Sequence, residues 1–527
     1  MFHFADPGAD TQYRDLGWWS SLTLSDRVNS LAAEKSEGIA YHWGEATLTW
    51  RGYSELANRI AERVVADGLA RGERVLVWLP DGGAVHAAYL GCERAGVVAV
   101  GAGWRAGLRE LAYLTERTGA RIAVLTAQSP LGAAADVAAR LGLRAYIIVE
   151  DLDDVPTVAD GPTDGKNVDL SGRAVGASEL WLLNSTSGTT GLPKCVMQTI
   201  NRWVYFHHKA VEFADLGHDE VFMSVLPAPF GFGLWTAHVS PTLLGIPCVV
   251  QARFDPGQAA ADIEQHRVTV LAAVSSQFVM ILNSAGDRDL SSLRVLFTGG
   301  EAISSVRARE FEQRTGCRVL NFYGSNETGL LSGTRLSDPL EQRLTTGGRV
   351  VAEMQVRLYG TDGQRVPGDR GEGRPACKGP ATALGYWDDD AANRELFTDD
   401  GWMFMGDIVR IDNDDWLNVV ARTADFIIRG GKNISAPAVE EEVATHPCVA
   451  LAAAVAVPDE RVGERVGVFV ELRTDCHLTL ADLTEHLALR GVSREWWPER
   501  LWVLAELPRS SGGKVAKGEL RERARQL

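Results

Sequence analysis

Length, composition and charge exclude several classes of protein. The 527 residues are enough for several hydrophobic cores, and a hydrophobic content of 45% with 23% charged residues is typical of an ordinary globular protein. A net charge of −16 argues against a protein that binds nucleic acid or membrane surfaces through general electrostatic attraction.

The spacing of the cysteines and the character of the N-terminal segment allow a prediction of the cellular compartment. The seven cysteines are scattered without a CxxC pair, so the sequence predicts neither a disulfide framework nor a zinc site. The N-terminus has no basic segment followed by an apolar core, and no apolar run approaches the length of a membrane span. We therefore expect a cytoplasmic protein with no membrane span and no nucleic-acid partner.

Strands and helices alternate along the first part of the chain. Buried strands are predicted at 75–79, 97–100, 122–125 and 146–149, with helices at 53–66, 84–95, 108–118 and 133–141. Alternation at this spacing predicts parallel sheets with helices on both faces. The stretch 151–177 is rich in Asp, Gly, Pro and Thr, which predicts an exposed connection.

Residues 185–194, Ser-Thr-Ser-Gly-Thr-Thr-Gly-Leu-Pro-Lys, follow an apolar strand end. The glycines allow backbone N–H groups to approach an anion, and Lys194 adds a charge suited to phosphate. The stretch is not a Walker A loop, because Lys194 follows Pro193 and precedes Cys195. A solvated linker is the alternative. The preceding strand and the following Pro-Lys favour a phosphate-binding loop.

Further segments downstream carry groups suited to a nucleotide or an acid. A strand ends in Gly299-Gly300-Glu301-Ala302, and the next constellation runs from Asn321 to Gly329. Glycine leaves room for a ligand against bare backbone, the Tyr323 ring can stack on a base, and a carboxylate such as Glu327 can hold Mg²⁺. Asp407 follows a predicted strand, where a carboxylate can accept from both ribose hydroxyls.

Taken in order, these segments resemble those of the adenylate-forming superfamily, which includes acyl- and aryl-CoA synthetases, peptide-synthetase adenylation domains and luciferases. The resemblance runs from about residue 40 to the end and is closest to acyl- or aryl-CoA synthetases. It implies an α/β fold with two sheet-helix subdomains and a small β-barrel-like subdomain in residues 1–422. A smaller, mobile α+β domain is implied for residues 423–527.

The resemblance also implies roles for individual residues. Nucleotide contacts are implied for Thr186, Ser187, Gly188, Thr189, Thr190, Lys194, Gly300, Glu301, Ala302, Asn321, Phe322, Tyr323, Gly324, Asp407 and Arg422. Glu327 is implied as the Mg²⁺ ligand, Asn326 as a catalytic group near the α-phosphate, and Lys514, favoured over Lys517, as the catalytic lysine.

Other residues are implied to border the acid and the thiol. Phe230, Gly299 and Gly324 border the acid, and Gly430 with Gly431 lines the approach of the thiol. Structural alternatives stay open. Phe230 can be a core residue, Asp407 and Arg422 can form an ion pair, and Lys514 can belong to a solvated tail.

Four positions differ from the family pattern. Asn326 stands where Thr is usual, and Ala421 stands where Gly usually precedes the Arg. Ala424 occupies the hinge position that is normally Asp or Lys, and Trp496 occupies a site that often carries Lys. The use of a second domain arrangement and the binding of CoA therefore stay open.

The expected activity is ATP-dependent activation of a carboxylic acid to an acyl-adenylate, followed by transfer to coenzyme A. ATP, Mg²⁺ and CoA are the expected cofactors. The aromatic residues Trp104, Phe230 and Trp235 favour an aryl, alicyclic or medium acyl group. Transfer to a separate carrier protein or another nucleophile is the alternative, and a non-catalytic nucleotide-binding protein is a remote one.

Overall fold

The computed structural model describes residues 9–152, 155–158, 168–185, 193–301, 303–360, 362–422, 426–429, 432–459, 461–510 and 513–526.

The first part of the chain builds one parallel sheet. Its elements are α1 (Ala9–Asp15), α2 (Leu24–Glu34), β1 (Ile39–Trp43), β2 (Ala46–Thr49), α3 (Trp50–Ala66), β3 (Arg74–Trp78), α4 (Gly83–Ala95), β4 (Val98–Gly101), α5 (Leu108–Thr118), β5 (Ile122–Leu125), β6 (Gln128–Ser129), β7 (Gly132–Ala133), α6 (Ala134–Arg140), β8 (Ala145–Leu152), β9 (Val155–Val158), β10 (Leu182–Ser185) and β11 (Cys195–Gln198).

In this first sheet the described strands follow the order β11-β10-β4-β3-β5-β8-β9. The strands from β10 to β8 run parallel, and β11 and β9 are antiparallel edges. Strands β3, β4 and β5 are apolar and buried because helices cover both faces, as parallel sheets require. The predicted alternation is confirmed. The connection predicted at 151–177 contains the end of β8 and all of β9.

The second part of the chain builds a larger sheet. Its elements are α7 (Ile200–Ala214), β12 (Phe222–Ser224), α8 (Gly231–Gly233), a π-helix (Leu234–Val239), α9 (Ser240–Leu244), β13 (Cys248–Val250), α10 (Pro256–His266), β14 (Val270–Ala272), α11 (Ser275–Ser284), β15 (Val295–Gly299), α12 (Ser305–Thr315), β16 (Arg318–Ser325), β17 (Gly329–Gly333), α13 (Leu340–Thr345) and β18 (Arg349–Val350).

This second sheet includes strands from the start of the chain. Its described order is β18-β17-β16-β15-β14-β12-β13-β1-β2. Strand β1 pairs in parallel with β13, with Tyr41 opposite Cys248. The chain therefore begins in the second sheet, crosses to build the first and then returns. The carboxyl ends of β15 and β16 meet at one edge, since these strands are parallel neighbours.

A small antiparallel sheet follows. Its elements are β19 (Gln355–Tyr359), a 3-10 helix (Pro367–Asp369), β20 (Gly371–Lys378), α14 (Asp390–Leu396), β21 (Met403–Phe404), β22 (Asp407–Ile411) and β23 (Leu417–Arg422). The described strands follow the order β19-β20-β22-β23, with β21 also on β20, and do not close into a ring. The large region is thus α/β with a third, antiparallel unit.

The C-terminal region has an α+β fold. Its elements are β24 (Phe426–Arg429), β25 (Lys432–Ser435), α15 (Ala436–Ala444), β26 (Val449–Asp459), β27 (Gly463–Leu472), α16 (Leu480–Leu489), a 3-10 helix (Arg494–Trp496), β28 (Arg500–Val503) and α17 (Lys517–Gln526). Strands β26 and β27 form a long antiparallel pair, and β28 runs parallel to β27. The domain boundary between residues 422 and 423 stays a prediction, since residues 423–425 lie outside the described chain.

Helix α12 carries several of the contacts between the C-terminal region and the second sheet. The backbone N–H of Ser305 donates to the Glu441 carboxylate at 3.0 Å. Arg307 donates to the carbonyl oxygen of Ala444 at 2.8 Å. Because Arg307 is almost fully buried, it makes these contacts inside the interface rather than at its rim. No helix in the described ranges is both long and apolar enough to cross a membrane.

Candidate active site

Tyr323 and Asp407 meet at the carboxyl edge of the second sheet. The Tyr323 hydroxyl donates to Oδ2 of Asp407 at 2.9 Å, and both side chains are buried. Tyr323 lies near the end of β16, whereas Asp407 begins β22 of the small sheet. Within the small sheet, the β22–β23 register puts Asp407 opposite Arg422. The structure therefore brings together three residues predicted to contact the nucleotide.

Close backbone approach accounts for two of the predicted glycines at this edge. A Cβ on Gly299 would lie 2.3 Å from the carbonyl oxygen of Phe322, and one on Gly324 would lie 1.7 Å from that of Gly329. Both distances are far below van der Waals contact, so β15, β16 and β17 can pack here only without side chains at these positions. These glycines thus have a structural requirement independent of any ligand.

Asn321 forms hydrogen bonds within the protein through both its side chain and its backbone. Its side-chain nitrogen donates to the carbonyl oxygen of Thr346 at 2.9 Å, and its backbone N–H donates to the Thr334 hydroxyl at 2.8 Å. The next residue, Phe322, packs its ring against Trp235 and Phe297. Asn321 and Phe322 therefore stabilise the strand that carries Tyr323.

A tyrosine that we did not predict as a site residue connects two that we did. The Tyr386 hydroxyl donates to Oε1 of Glu327 at 2.7 Å. The ammonium of Lys194 lies 4.8 Å from the centroid of the Tyr386 ring, a cation–π distance. Burial, reinforced by the charge of Glu327, raises the pKa of Tyr386, so its hydroxyl stays a donor. The signal for Tyr386 was its place in the Gly-Tyr-Trp segment at 385–387.

Glu327 is the predicted metal ligand. In the parts of the chain that the structure describes, no group of three or more His, Cys, Asp or Glu side chains could hold a metal ion. Mg²⁺ commonly binds through one or two carboxylates together with substrate phosphates. A single half-buried carboxylate, held by Tyr386, fits that kind of site.

Asn326 is held by backbone and amide donors. Its side-chain oxygen accepts from the backbone N–H of Gly231 at 2.9 Å and from Nδ2 of Asn184 at 3.2 Å. Its backbone oxygen accepts from Arg202 at 2.8 Å. Burial lowers the pKa of Arg202 to about 9, and its guanidinium contacts three chain segments. This network fixes Asn326 next to Glu327.

An aromatic cluster fills the region beside these residues. Trp235, on the π-helix, stacks on Phe206 at 4.2 Å between ring centroids and on Phe297 at 5.3 Å. Trp235 is fully buried, whereas Phe230 is half-buried at the start of α8. Trp104 packs on Trp78 against the core of the first sheet. That Trp104, Phe230 and Trp235 border one acid pocket stays a prediction.

Lys514 reaches the same edge from the C-terminal region. A Cβ on Gly300 would lie 2.8 Å from the Lys514 ammonium nitrogen, so this ammonium lies directly over the backbone that follows β15. Lys517, in contrast, begins α17 and pairs with Glu440 at 2.7 Å within the C-terminal region. The preference for Lys514 over Lys517 agrees with these positions.

Several predicted site residues lie outside the described chain. They are Thr186, Ser187, Gly188, Thr189, Thr190, Ala302, Gly430 and Gly431, and the hinge position Ala424 is among the residues left out as well. The two ends of the predicted phosphate loop are described, because Ser185 at the end of β10 pairs with Cys195 at the start of β11. Predictions about the residues between them stay predictions.

Two α/β sheets, a small antiparallel sheet and a C-terminal α+β region form the fold of the adenylate-forming ligases. The family model for AMP-binding enzymes matches residues 29–387, and the model for the AMP-binding enzyme C-terminal domain matches residues 438–514. The chain therefore belongs to the AMP-binding enzyme family, as the motif order predicted.

Relatives of known activity align with nearly the whole chain. The medium-chain fatty-acid–CoA ligase of Escherichia coli is 29% identical, with 97% of this chain and 92% of that protein covered. The 2-hydroxy-7-methoxy-5-methyl-1-naphthoate–CoA ligase of Streptomyces carzinostaticus is 31% identical, with 97% and 95% covered. The 2,3-dihydroxybenzoate–AMP ligase of Bacillus subtilis is 29% identical, with 97% and 95% covered.

A solved structure supports the fold. The anthranilate CoA ligase AuaEII in complex with anthranoyl-AMP superposes with a TM-score of 0.85 at 21% identity, with 97% of this chain and 99% of that chain covered.

Proposed function

We propose that the protein joins a carboxylic acid to AMP at the expense of ATP and then transfers the acyl group to the thiol of coenzyme A. The observation that carries this proposal is the position of Lys514. Its ammonium lies over Gly300, at the edge that also holds Tyr323, Asp407 and Glu327. A positive charge at this edge is suited to a carboxylate meeting a phosphate.

The chemistry requires two displacements. A carboxylate is a poor acceptor for a thiol, because the leaving group would be an oxide. In the first step a carboxylate oxygen bonds to the α-phosphorus, the bond to the β-phosphate oxygen breaks, and pyrophosphate leaves. In the second step the thiolate sulfur bonds to the acyl carbon and AMP leaves with the oxygen. Such steps depend on positioning and charge neutralisation.

Individual residues have proposed roles in the first step. Lys194, with the loop residues 186–190, holds the β- and γ-phosphates, and Asp407 with Arg422 holds the ribose. Glu327 binds Mg²⁺, which neutralises phosphate charge when bound. Because the Asn326 oxygen is occupied by the Gly231 N–H, its amide nitrogen is the group that donates toward the α-phosphate. Lys514 contacts the reacting carboxylate and α-phosphate oxygens.

In the second step Lys514 leaves the site and the Gly430-Gly431 segment takes its place beside the thiol. The hinge position, Ala424, lacks the polar side chain usual there. This part of the proposal therefore depends on the C-terminal region moving without that side chain.

The acid that we propose is aryl, alicyclic or medium-chain. The rings of Trp235, Phe206 and Phe322 pack on one another as an apolar aromatic cluster, which suits a compact apolar acid. The names of the relatives include a naphthoate, a dihydroxybenzoate and a medium-chain fatty acid, which agrees with this range.

A carrier protein or another nucleophile is the second candidate acceptor. The similarity to a dihydroxybenzoate–AMP ligase favours it, as does Trp496 at a position that often carries Lys in CoA synthetases. The side chain of the neighbouring Trp497 donates to the carbonyl oxygen of Val492 at 2.9 Å, so this segment is tied to the C-terminal core.

The test is carboxylate-dependent ATP–pyrophosphate exchange with a panel of aryl, alicyclic and aliphatic acids, followed by addition of CoA to the best substrate. We expect exchange with at least one compact acid and formation of its CoA thioester. Exchange without a thioester would contradict CoA as the acceptor and favour the second candidate. Absence of exchange with every acid, in a folded protein that binds ATP, would contradict the proposed activity.

A further inference from the structure

Glu301 forms a bridge between the second sheet and the loop that carries Lys514. Its Oε1 accepts the backbone N–H of Val515 at 3.1 Å. Its Oε2 accepts both the backbone N–H and the hydroxyl of Ser276, at 3.2 Å each. Both carboxylate oxygens are thus engaged by protein donors, one of them on the residue directly after Lys514.

The other end of this bridge, at Ser276, lies in a buried and hydrogen-bonded part of α11. Ser276 is the second residue of α11 and is buried. Its neighbour Gln277 donates to the carbonyl oxygen of Val225 at 2.9 Å and accepts from the backbone N–H of Val274 at 3.1 Å. A Cβ on Gly513 would lie 3.1 Å from this Gln277 amide nitrogen. The chain around Lys514 therefore rests directly on the start of α11.

The described ends of the segment that carries Lys514 pair with each other. The backbone N–H of Ser510 donates to the carbonyl oxygen of Lys514 at 2.7 Å, and Arg509 bridges to Val515. Besides the contact of Gly513 with Gln277, the Glu301 carboxylate supplies an external hydrogen bond to Val515, and a carboxylate is a stronger acceptor for a backbone N–H than a neutral group.

We propose that Glu301 is a positioning residue for adenylation: it holds the Val515 N–H and thereby places the Lys514 ammonium over Gly300. This inference rests on the proposed function and goes beyond it, because it gives the Glu301 side chain a role distinct from nucleotide contact. The contact joins two regions of the chain, so it exists only while the C-terminal region lies in this arrangement. Glu301 therefore acts in the first half-reaction and not in the second.

Measuring the two half-reactions separately distinguishes a positioning role of Glu301 from a general structural one. In the Glu301→Ala variant, we expect the pyrophosphate exchange rate to fall by about tenfold or more, the size typical of a lost charged hydrogen bond, and Glu301→Gln, which keeps one acceptor oxygen, should lose less. Thioester formation from supplied acyl-adenylate should stay within about twofold of wild type, because Lys514 is not needed there. Adding Glu301→Ala to Lys514→Ala should cause no further loss, since the two residues act as one unit.

Glu310→Gln is the matched control. Glu310, on α12, is another carboxylate of the same interface, and it pairs with Arg473 and with Arg307, each at 2.8 Å. Among the described residues, none of its hydrogen bonds involves Val515, so this variant should change the exchange rate by less than about fivefold.

A readout that needs no substrate completes the test. Hydrogen exchange at the Val515 amide should be slow in wild type and in Glu310→Gln, and faster in Glu301→Ala, while α11 stays protected. Equal protection in all three proteins, or equal loss of both half-reactions in Glu301→Gln, would overturn the inference. Wild type without exchange activity but with this protection pattern would reject the proposed function and retain the Glu301 contact.

Discussion

At the scale of single residues, one hydroxyl organises the predicted phosphate side of the site. Tyr386 donates to Glu327 and presents its ring to Lys194, so a neutral side chain separates a carboxylate from an ammonium. The tyrosine hydroxyl thereby orients the Glu327 side chain.

Tyr386→Phe tests this orientation. The variant removes the 2.7 Å hydrogen bond and retains the ring beneath Lys194. We expect the exchange rate at limiting Mg²⁺ and ATP to fall by roughly fivefold, the value of one net hydrogen bond, with little change in stability. The measurement is exchange as a function of Mg²⁺ concentration, with Tyr146→Phe in the first sheet as the control. Identical Mg²⁺ dependence in wild type and Tyr386→Phe would contradict the role.

At the scale of elements, two buried charged residues of α4 form hydrogen bonds to helices α2 and α3. Glu93 accepts the backbone N–H of Ser25 at the start of α2 at 2.7 Å, and it is fully buried. Arg94 donates to the carbonyl oxygen of Ser54 on α3 at 2.6 Å. Burial raises the pKa of Glu93 to about 8, and the Ser25 N–H and Arg94 only partly offset this effect.

This raised pKa predicts a pH dependence of stability. The folded state keeps a proton on Glu93 that the unfolded chain releases near pH 4.5, so stability is full below that pH and decreases as pH rises towards 8. Glu93→Gln keeps an acceptor for Ser25 and cannot ionise. Between pH 5.5 and 8 we expect wild type to lose on the order of 3 kcal/mol more unfolding free energy than the variant.

Urea unfolding of both proteins at the two pH values measures this difference. Glu372→Gln is the control, because Glu372 forms an exposed pair with Arg410 and should leave the pH dependence unchanged. Equal pH dependence in wild type and Glu93→Gln would show that the proton is not held by Glu93.

At the scale of the whole molecule, the C-terminal region is seated with Lys514 at the nucleotide edge. Hydrogen bonds of Ser305 and Arg307 on α12 hold one end of the C-terminal region, and the hydrogen bond between Glu301 and Val515 holds the other. These contacts are polar, and Leu451 adds an apolar contact to the core of the second sheet. Polar groups at such an interface can be satisfied by water on separation, which is compatible with the proposed movement of the C-terminal region.

Lys514→Ala tests the division of labour that this arrangement implies. Exchange should fall by on the order of a hundredfold or more, as for loss of a charged group at a developing charge, while thioester formation from supplied acyl-adenylate is retained. Lys517→Ala is the matched control, since Lys517 pairs with Glu440 and should keep both half-reactions. Loss of both half-reactions in folded Lys514→Ala protein would contradict the assignment.

What the sequence determined by itself was the class of fold and the family. Apolar runs alternating with helical periodicity predicted the parallel sheets, because burial on both faces requires near-continuous apolar strands. The order of motifs predicted the family and pointed to Glu327, Asp407 and Lys514 as site residues. These features are local, and residue type with spacing is sufficient to reveal them.

The partners of those residues were decided only by the tertiary structure. Nothing in the sequence near Tyr41 indicates that β1 joins the second sheet beside Cys248, and nothing near Glu301 indicates Val515 as its partner. Trp104 and Trp235 look alike in sequence, yet they pack in different cores. Periodicity reports whether a side chain is buried, whereas contacts across hundreds of residues depend on how whole sheets and regions dock.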